Sequence, residues 1–161
     1  MNIITFFDYV GFYGPTINFF LTFYYLLDKN IYLLFFIIGS VTNIALNEIL
    51  KLTIREPRPH GQIQFVDSNQ LHGPHLYGMP SAHTQSCIFS SIYIYLVTGY
   101  PYIFLFTLFI SMITFYQRWK YNRHSINQLI VGSLVGGAYA WLIIYLVQLY
   151  YYNYKTPFFM I

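Results

Sequence analysis

Three clusters of cationic, histidine and serine residues interrupt an otherwise apolar sequence between positions 50 and 129. In chain order they are Lys51 with Arg58-Pro59, then Pro80-Ser81-Ala82-His83, then Arg118 with His124. Histidine can attack an electrophile or donate a proton, while serine and cationic side chains bind phosphate oxygens. If the three clusters meet, they supply a nucleophile, an acid and an anion cradle, which predicts phosphoryl-transfer chemistry.

The cations of these clusters, Lys51, Arg58 and Arg118, are predicted to neutralise phosphate oxygens. The alternative is that each extends along lipid to reach the headgroups, as basic residues near helix ends often do. Their association with histidines favours the phosphate role. Three further cations lack such a motif and are expected only to add positive potential: Arg55, Lys120 and Arg123.

The second cluster lies where Pro80 begins an apolar helix, so free backbone amides and the helix dipole favour an anion there. Ser81 can donate to a phosphate oxygen or cap the helix, and the two roles are compatible. His83 is predicted to protonate the leaving oxygen, and His124, as a neutral imidazole, is predicted to attack phosphorus. A lone histidine is more often packed or interfacial, but two histidines beside three cations favour catalysis.

The composition is that of a membrane protein. Of 161 residues, 57% are hydrophobic and 8% are charged, against roughly 25% charged in an average soluble domain. No repeat or linker divides the chain, so we expect a single membrane-embedded domain over residues 1–161. The net charge of +3 is modest, and the basic residues do not form the stripe typical of nucleic-acid binding. The single cysteine, Cys87, is expected to pack in an apolar segment.

Five apolar runs approach the length of about 20 residues that a bilayer crossing needs. They cover about Pro15 to Leu27, Ile31 to Leu50, Pro80 to Thr98, Tyr102 to Tyr116 and Leu129 to Leu149. The sequence therefore predicts an all-α transmembrane helix bundle of five spans, or six if residues 1–10 also cross. Either count brings the three clusters to one membrane face. Residues 1–13 lack the basic region and cleavage site of a secretory signal, so we expect no cleavage.

Between the second and third spans, the prolines at positions 57 and 59 are expected to end the helix. The polar stretch from His60 to Gly78 then predicts an irregular loop. Its histidines, His60, His72 and His75, could suggest zinc, but Asp67 alone accompanies them as a ligand type. We therefore expect no metal and no cofactor.

These motifs resemble the signature of the type 2 phosphatidic acid phosphatase superfamily: Lys, six residues, Arg-Pro; then Pro-Ser-x-His; then Arg, five residues, His. The stretches Glu56-Pro57-Arg58-Pro59 and Tyr77-Gly78-Met79-Pro80-Ser81-Ala82-His83-Thr84-Gln85 are similar to the dolichyl-diphosphatase branch. The resemblance implies a metal-independent mechanism in which His124 forms a phosphohistidine and His83 protonates the leaving group. It also implies four phosphate ligands: Lys51, Arg58, Ser81 and Arg118.

The main departure from the superfamily is Gln128, four residues after His124, where the resemblance implies an aspartate in most members. This spacing puts both side chains on one helix face. The amide oxygen can accept the imidazole N–H and fix its tautomer, but it brings no charge. We expect a glutamate at position 128 to keep or raise activity, provided that the pocket tolerates a carboxylate, and an alanine to lower it. Glutamine here is similar to the dolichyl-diphosphatase branch, and Gln117, in place of a common serine, is a minor difference.

The expected activity is hydrolysis of a polyisoprenoid diphosphate, such as dolichyl diphosphate, to the monophosphate and phosphate. The expected partners are that substrate, with its chain between helices, and membrane lipids. One alternative is a broader lipid phosphate phosphatase acting on phosphatidate-like substrates. Another is a catalytically silent lipid-binding membrane protein, which the intact His83 and His124 oppose. The soluble vanadium haloperoxidases share the superfamily's anion site, but the lipid-length apolar runs argue against them.

The resemblance also implies a location in the endoplasmic reticulum membrane, with the active site facing the lumen and a role in lipid metabolism for protein glycosylation. The basic residues do not decide the orientation by themselves, because three of those on the motif face are assigned to catalysis.

Overall fold

The computed structural model describes residues 5–63, 65 and 73–155, and within them the protein is helical with no strand. The six α-helices are α1 (Phe6–Phe12), α2 (Gly14–Tyr25), α3 (Asn30–Ile54), α4 (Ala82–Thr98), α5 (Pro101–Lys120) and α6 (Ile126–Lys155). A 3-10 turn (Gly73–Leu76) lies in the long loop before α4. The all-α class predicted from the sequence is confirmed for this part of the chain.

Two helices, Asn30–Ile54 and Ile126–Tyr152, are long and apolar enough to cross a membrane. Only 22% and 33% of their most apolar stretches are buried inside the protein, so lipid would have to cover the rest. The seven residues of α1 and the twelve of α2 extend about 10 and 18 Å at the helical rise, short of a hydrocarbon core of about 30 Å. The predicted count of five spans is therefore not confirmed, and α1 is too short to be a sixth.

The helices end where the sequence contains residues that break them. The last residue of α3 is followed by Arg55 in a left-handed conformation (φ 54°), and the N–H of Arg55 donates to the carbonyl of Lys51 at 2.9 Å. Beyond it, Pro57 offers no N–H with which to continue the helix. Gly99, with φ 68°, ends α4, and Pro101 begins α5 two residues later. These breaks leave Lys51 in the final turn of α3.

The central helix is α4, which packs against α2, α3, α5 and α6. Its buried aromatic residues Phe89 and Tyr93 contact Phe36 of α3, with ring centroids 5.8 and 5.3 Å from that ring. Aromatic pairs of this kind contribute about 0.5–1.5 kcal/mol each beyond the area they bury. The hydroxyl of Tyr93 donates to the carbonyl of Tyr32 at 2.7 Å. These contacts fix α4 between its neighbours.

Buried amides tie the start of α4 to α3. Gln85 donates to Asn43 Oδ1 at 2.8 Å and accepts from Asn47 Nδ2 at 2.7 Å. Asn47 also donates to the carbonyl of Pro80 at 3.1 Å. Hydrogen bonds between amide side chains stabilise helix contacts where water is excluded. The turn that leads into the second cluster is therefore held by α3.

Glycines let α6 approach α4 closely. The small residues of the last predicted span favour such close helix packing. A Cβ atom at Gly136 would overlap the backbone carbonyl of Gln85, and one at Gly132 would lie 2.6 Å from the carbonyl oxygen of Ser81. Backbone cannot move aside as a flexible side chain can. The sequence therefore needs glycine at both positions to seat α6 beside the start of α4.

We expect Gly136→Ala to destabilise the protein by about 1–3 kcal/mol, since overpacking forces the two helices apart. Gly137→Ala is the matched control, because its Cβ would meet only the Ile88 side chain at 3.7 Å. Glycine costs up to about 1 kcal/mol in a helix interior, so the control should be neutral or stabilising. Thermal unfolding of both variants in detergent measures the difference. Equal stability of the two would contradict the close approach of α6 to α4.

Candidate active site

The ends of three helices and the segment before α6 converge at one end of the bundle. Lys51 lies in the last turn of α3, His83 in the first turn of α4 and Arg118 in the last turn of α5, while His124 precedes α6. The charges of Arg118, Arg58 and Lys51 act on both histidines. The structure therefore brings together the three clusters that the sequence predicts to share one face.

His124 is buried and its ring orientation is fixed. Its Nδ1 lies 2.9 Å from the carbonyl oxygen of Gly78 and 3.3 Å from Oε1 of Gln128. Because both oxygens can only accept, Nδ1 carries the hydrogen and Nε2 holds the lone pair. Burial, and after it the nearby Arg58 guanidinium, hold the pKa of His124 well below its usual range. The imidazole is therefore neutral at pH 7, as a nucleophile must be.

Arg58 lies directly against Nε2 of His124, the atom predicted to attack phosphorus. Its Nη1 is 3.2 Å from Nε2 of His124, and because a guanidinium only donates, this contact faces the imidazole lone pair. The same nitrogen donates to the carbonyl of Arg123 at 2.9 Å, and Nε donates to the carbonyl of His75 at 2.9 Å. A phosphoryl group placed beside Nε2 would therefore meet the N–H groups of Arg58.

Both ends of the Gln128 amide form hydrogen bonds. Its Oε1 accepts the backbone N–H of Ser125 at 3.2 Å and faces His124. Its Nε2 donates to Oε1 of Glu56 at 2.7 Å and to the carbonyl of Pro57 at 2.8 Å. These contacts bear on the condition attached to a glutamate at position 128: the pocket disfavours a carboxylate, because a carboxylate oxygen would replace the donor and face two acceptors.

Gly78 supplies the closer of the two acceptors for His124, which the sequence did not reveal. Its own N–H donates to the carbonyl of Glu56 at 2.8 Å, and an isolated β-bridge joins the two segments. The neighbouring carbonyl of Tyr77 accepts from Lys51 Nζ at 3.2 Å. A Cβ atom at position 78 would overlap the Gln128 amide, so any other residue here would displace that amide from His124. The acceptor is a backbone group, and no side-chain pattern marks it.

Ser81 is the N-cap residue of α4, but its hydroxyl does not cap the helix. Its Oγ is fully buried and has no hydrogen-bond partner among residues 5–63, 65 and 73–155. The backbone N–H of Ser81 donates to the carbonyl of Gln128 at 3.1 Å, which joins the second cluster to the third. A buried hydroxyl without a partner is costly, and a bound anion would satisfy it.

The three cations outside the motifs differ in position. Lys120 pairs with Asp8 at 2.8 Å, and Arg55 donates to a carbonyl of its own helix. Arg123 is only 6% exposed, and its charge acts on His83. Arg123 therefore adds positive potential, as expected, but it does so from a buried position within the cationic end of the bundle.

Phe12, in α1, forms an aromatic wall of this site that the sequence did not reveal. Its ring centroid lies 5.7 Å from Cζ of Arg118 and 5.9 Å from the ring of His83. The Asp8–Lys120 ion pair holds α1 against the end of α5. In the sequence Phe12 lies within an apolar run. Its place in the site becomes visible only in the structure, where a break separates α1 from α2.

The zinc alternative gains no support from the described ranges, which contain no group of three His, Cys, Asp or Glu residues that could hold a metal. His60 and His75 are exposed. His72 and Asp67 lie outside the described residues.

The sequence model of the PAP2 superfamily matches residues 19–152. The chain belongs to the PAP2 superfamily. Lipid phosphate phosphatase epsilon 1, chloroplastic, from Arabidopsis thaliana is 29% identical over 111 residues, which are 64% of this chain and 36% of the relative. Dolichyldiphosphatase 1 from Homo sapiens is 28% identical over 138 residues, which are 71% of this chain and 53% of the relative. No solved structure matches the chain.

The match confirms the superfamily that the motifs indicate, and a dolichyldiphosphatase is among its relatives. The chain spans about a third of the length of the plant PAP2 relative and about half that of the human one. The matched range, residues 19–152, contains both histidines, the three motif cations and Gln128. It excludes Phe12 and the rest of α1.

Proposed function

We propose that this protein is a lipid phosphatase that hydrolyses a polyisoprenoid diphosphate, such as dolichyl diphosphate, to the monophosphate and inorganic phosphate. The observation that carries the proposal is the neutral, oriented His124, with its Nε2 lone pair directed at a cluster of cations. A buried site lined by Lys51, Arg58 and Arg118 favours a small, highly charged anion. A phosphate group meets that description.

In the first step, Nε2 of His124 attacks phosphorus and forms a nitrogen–phosphorus bond. The bond from phosphorus to the leaving oxygen breaks. His83, which is protonated once the anionic phosphate offsets the cations around it, gives that oxygen a proton. Before substrate binds, Arg58 donates a hydrogen bond to Nε2 of His124. When substrate binds, the N–H groups of Arg58 donate to the phosphoryl oxygens instead. The hydroxyl of Ser81 and the amine of Lys51 donate to the same oxygens.

In the second step, water attacks the phosphohistidine and His83 takes its proton. The nitrogen–phosphorus bond breaks, His124 becomes neutral again and inorganic phosphate leaves. The positive charge on the phosphorylated imidazole is stabilised by the two oxygens that accept its Nδ1–H. One site therefore performs both halves of the reaction.

The motif similarity to the dolichyl-diphosphatase branch, together with the human relative, supports a polyisoprenoid diphosphate. The plant relative, named as a lipid phosphate phosphatase, supports the broader alternative of phosphatidate-like substrates. A silent lipid-binding role is disfavoured, because the buried Ser81 hydroxyl and the oriented His124 form a site with reactive geometry.

We further propose a five-span bundle, with α1 and α2 together forming the first crossing and α3 to α6 the others. The apolar faces of α3 and α6 support it. The resemblance noted in the sequence supports placement in the endoplasmic reticulum with the site facing the lumen. Protease protection of tagged termini in sealed microsomes measures this orientation.

The test of function is phosphate release from a panel of detergent-dispersed lipids: polyprenyl diphosphate, polyprenyl monophosphate and phosphatidate. We expect the diphosphate to give the highest kcat/KM. We also expect the rate to be unchanged by a chelator, because built-in cations replace the magnesium that phosphoryl transfer otherwise uses.

Release from none of the three lipids would refute the phosphatase. A higher kcat/KM for phosphatidate would favour the broader alternative. If magnesium or zinc restores a rate that the chelator removed, with lipid dispersion held constant, the metal-independent mechanism is wrong. Substitution of the loop histidines would then test whether these residues bind the metal.

A further inference from the structure

Glu56 makes a short contact with the residue that faces His124. It follows the end of α3 and is half-buried, and its Oε1 accepts the Nε2–H of Gln128 at 2.7 Å. The other end of that amide faces Nδ1 of His124 at 3.3 Å. The amide cannot be turned the other way round, because Nε2 also donates to the carbonyl of Pro57 and Oε1 accepts the N–H of Ser125.

A carboxylate in this position acts on the imidazole in two ways. Its hydrogen bond to the amide is charge-assisted, and it polarises the amide so that Oε1 becomes a stronger acceptor. Its negative charge also lies on the Nδ1 side of His124, opposite the Arg58 guanidinium at Nε2. When Nε2 bonds to phosphorus, the ring becomes positive, and both effects stabilise that charge.

The backbone of Glu56 contributes as well. Its carbonyl accepts the N–H of Gly78, whose own carbonyl is the closer acceptor for His124 Nδ1. Glu56 therefore supports both oxygens that hold the imidazole, one through its side chain and one through its backbone.

We propose that Glu56 is a positioning residue that acts through Gln128 to orient His124 and to stabilise its phosphorylated form. The pair Glu56–Gln128 places a negative charge one amide away from the nucleophile. This proposal rests on the proposed role of His124 as nucleophile.

The first test is Glu56→Gln, which keeps an acceptor for the Gln128 amide and removes only the charge. We expect single-turnover formation of the phosphohistidine to slow about tenfold, since hydrogen bonds to charged groups are about twice as strong as neutral ones. The inhibition constant of inorganic phosphate should stay unchanged, because Glu56 does not touch the phosphate. Asp28→Asn, an exposed carboxylate at the far end of α3, is the matched control and should leave both values unchanged.

The second test separates the effect of charge on the rate from an effect of misfolding. Gln128→Glu alone should lose activity, because two carboxylates would meet where Glu56 and Gln128 now share a hydrogen bond. Adding Glu56→Gln to it restores a donor–acceptor pair and should recover part of the rate, although the carbonyl of Pro57 still faces an acceptor. Recovery in the double variant is a result that a damaged fold would not give.

Wild-type phosphohistidine formation in Glu56→Gln would overturn the proposal, as would full activity of Gln128→Glu with Glu56 intact. A parallel rise in the phosphate inhibition constant would instead show a general collapse of the site and also overturn it. The Nδ1–H proton resonance of His124 gives a readout that needs no activity. It should move in Glu56→Gln and not in Asp28→Asn, and an unmoved resonance contradicts the relay. An inactive wild-type protein with a resonance that moves would refute the phosphatase but retain the relay.

Discussion

Replacing His124 with alanine should reduce phosphate release by about 10⁴-fold or more, as removal of a nucleophile does in other covalent mechanisms. The substitution removes the attacking Nε2 and leaves no atom in its place. It also removes the imidazole that contacts Nη1 of Arg58 and the carbonyl of Gly78. Neither group can attack phosphorus, so the cationic site would bind phosphate without forming a covalent bond.

Incorporation of radiolabelled phosphate from the substrate, stopped in alkali to preserve phosphohistidine, measures the covalent step. The His124→Ala variant should show no label, and His60→Ala, at an exposed loop position, should label as wild type does. Thermal unfolding confirms that both variants are folded. Label of wild-type intensity on His124→Ala would assign the nucleophile to another residue.

The sequence predicts the convergence of the three clusters because their positions follow from local rules. Pro57 ends α3 beyond Lys51, and Gly99 with Pro101 reverses the chain between α4 and α5. Each break depends on the missing N–H of proline or the conformational freedom of glycine, both visible in one chain. The alternation of helix directions then places the four ends together without knowledge of any long-range contact.

The contacts that orient His124, the proposed nucleophile, could not be predicted in the same way. The closest acceptor for His124 is the carbonyl of Gly78, 46 residues earlier, and every residue has such a carbonyl. Gln128 is visible because helical spacing places it beside His124. Its second partner, Glu56, lies 72 residues away and is found only in the folded chain. Local spacing therefore predicts the contact of the Gln128 amide with His124 but not its contact with Glu56.

The structure gives two further residues positions that the sequence did not predict. Arg123 has no motif in the sequence, yet it is almost as buried as Arg118, at 6% and 4% exposure. Phe12 lies just before the first predicted span, and the structure places it in a separate short helix, α1, that brings its ring to Arg118. Both outcomes depend on how helix ends pack, which composition and periodicity do not specify.

The loss of rate on replacing His83, the proposed acid, should depend on the leaving group, and this dependence tests whether His83 protonates the leaving oxygen. A lipid diphosphate releases a phosphate monoester, whose second pKa is about 6, so its oxygen leaves without much help from an acid. A lipid monophosphate releases an alkoxide, which must be protonated. General acids contribute about 10²- to 10⁴-fold, so we expect His83→Asn to cost near the upper figure with the monophosphate and near the lower one with the diphosphate.

The measurement uses polyprenyl diphosphate and polyprenyl monophosphate of the same chain length, so that only the leaving group differs. Single-turnover formation of the phosphohistidine is followed, because in the second step His83 acts as a base for both substrates and would mask the difference. Phe12 and the cations near His83 remain in place in His83→Asn, so substrate binding should change little. Equal losses on the two substrates would show that His83 does not protonate the leaving oxygen. A larger loss with the monophosphate would show that His83 protonates the leaving oxygen and that the site relies on this proton most when the leaving group is an alkoxide.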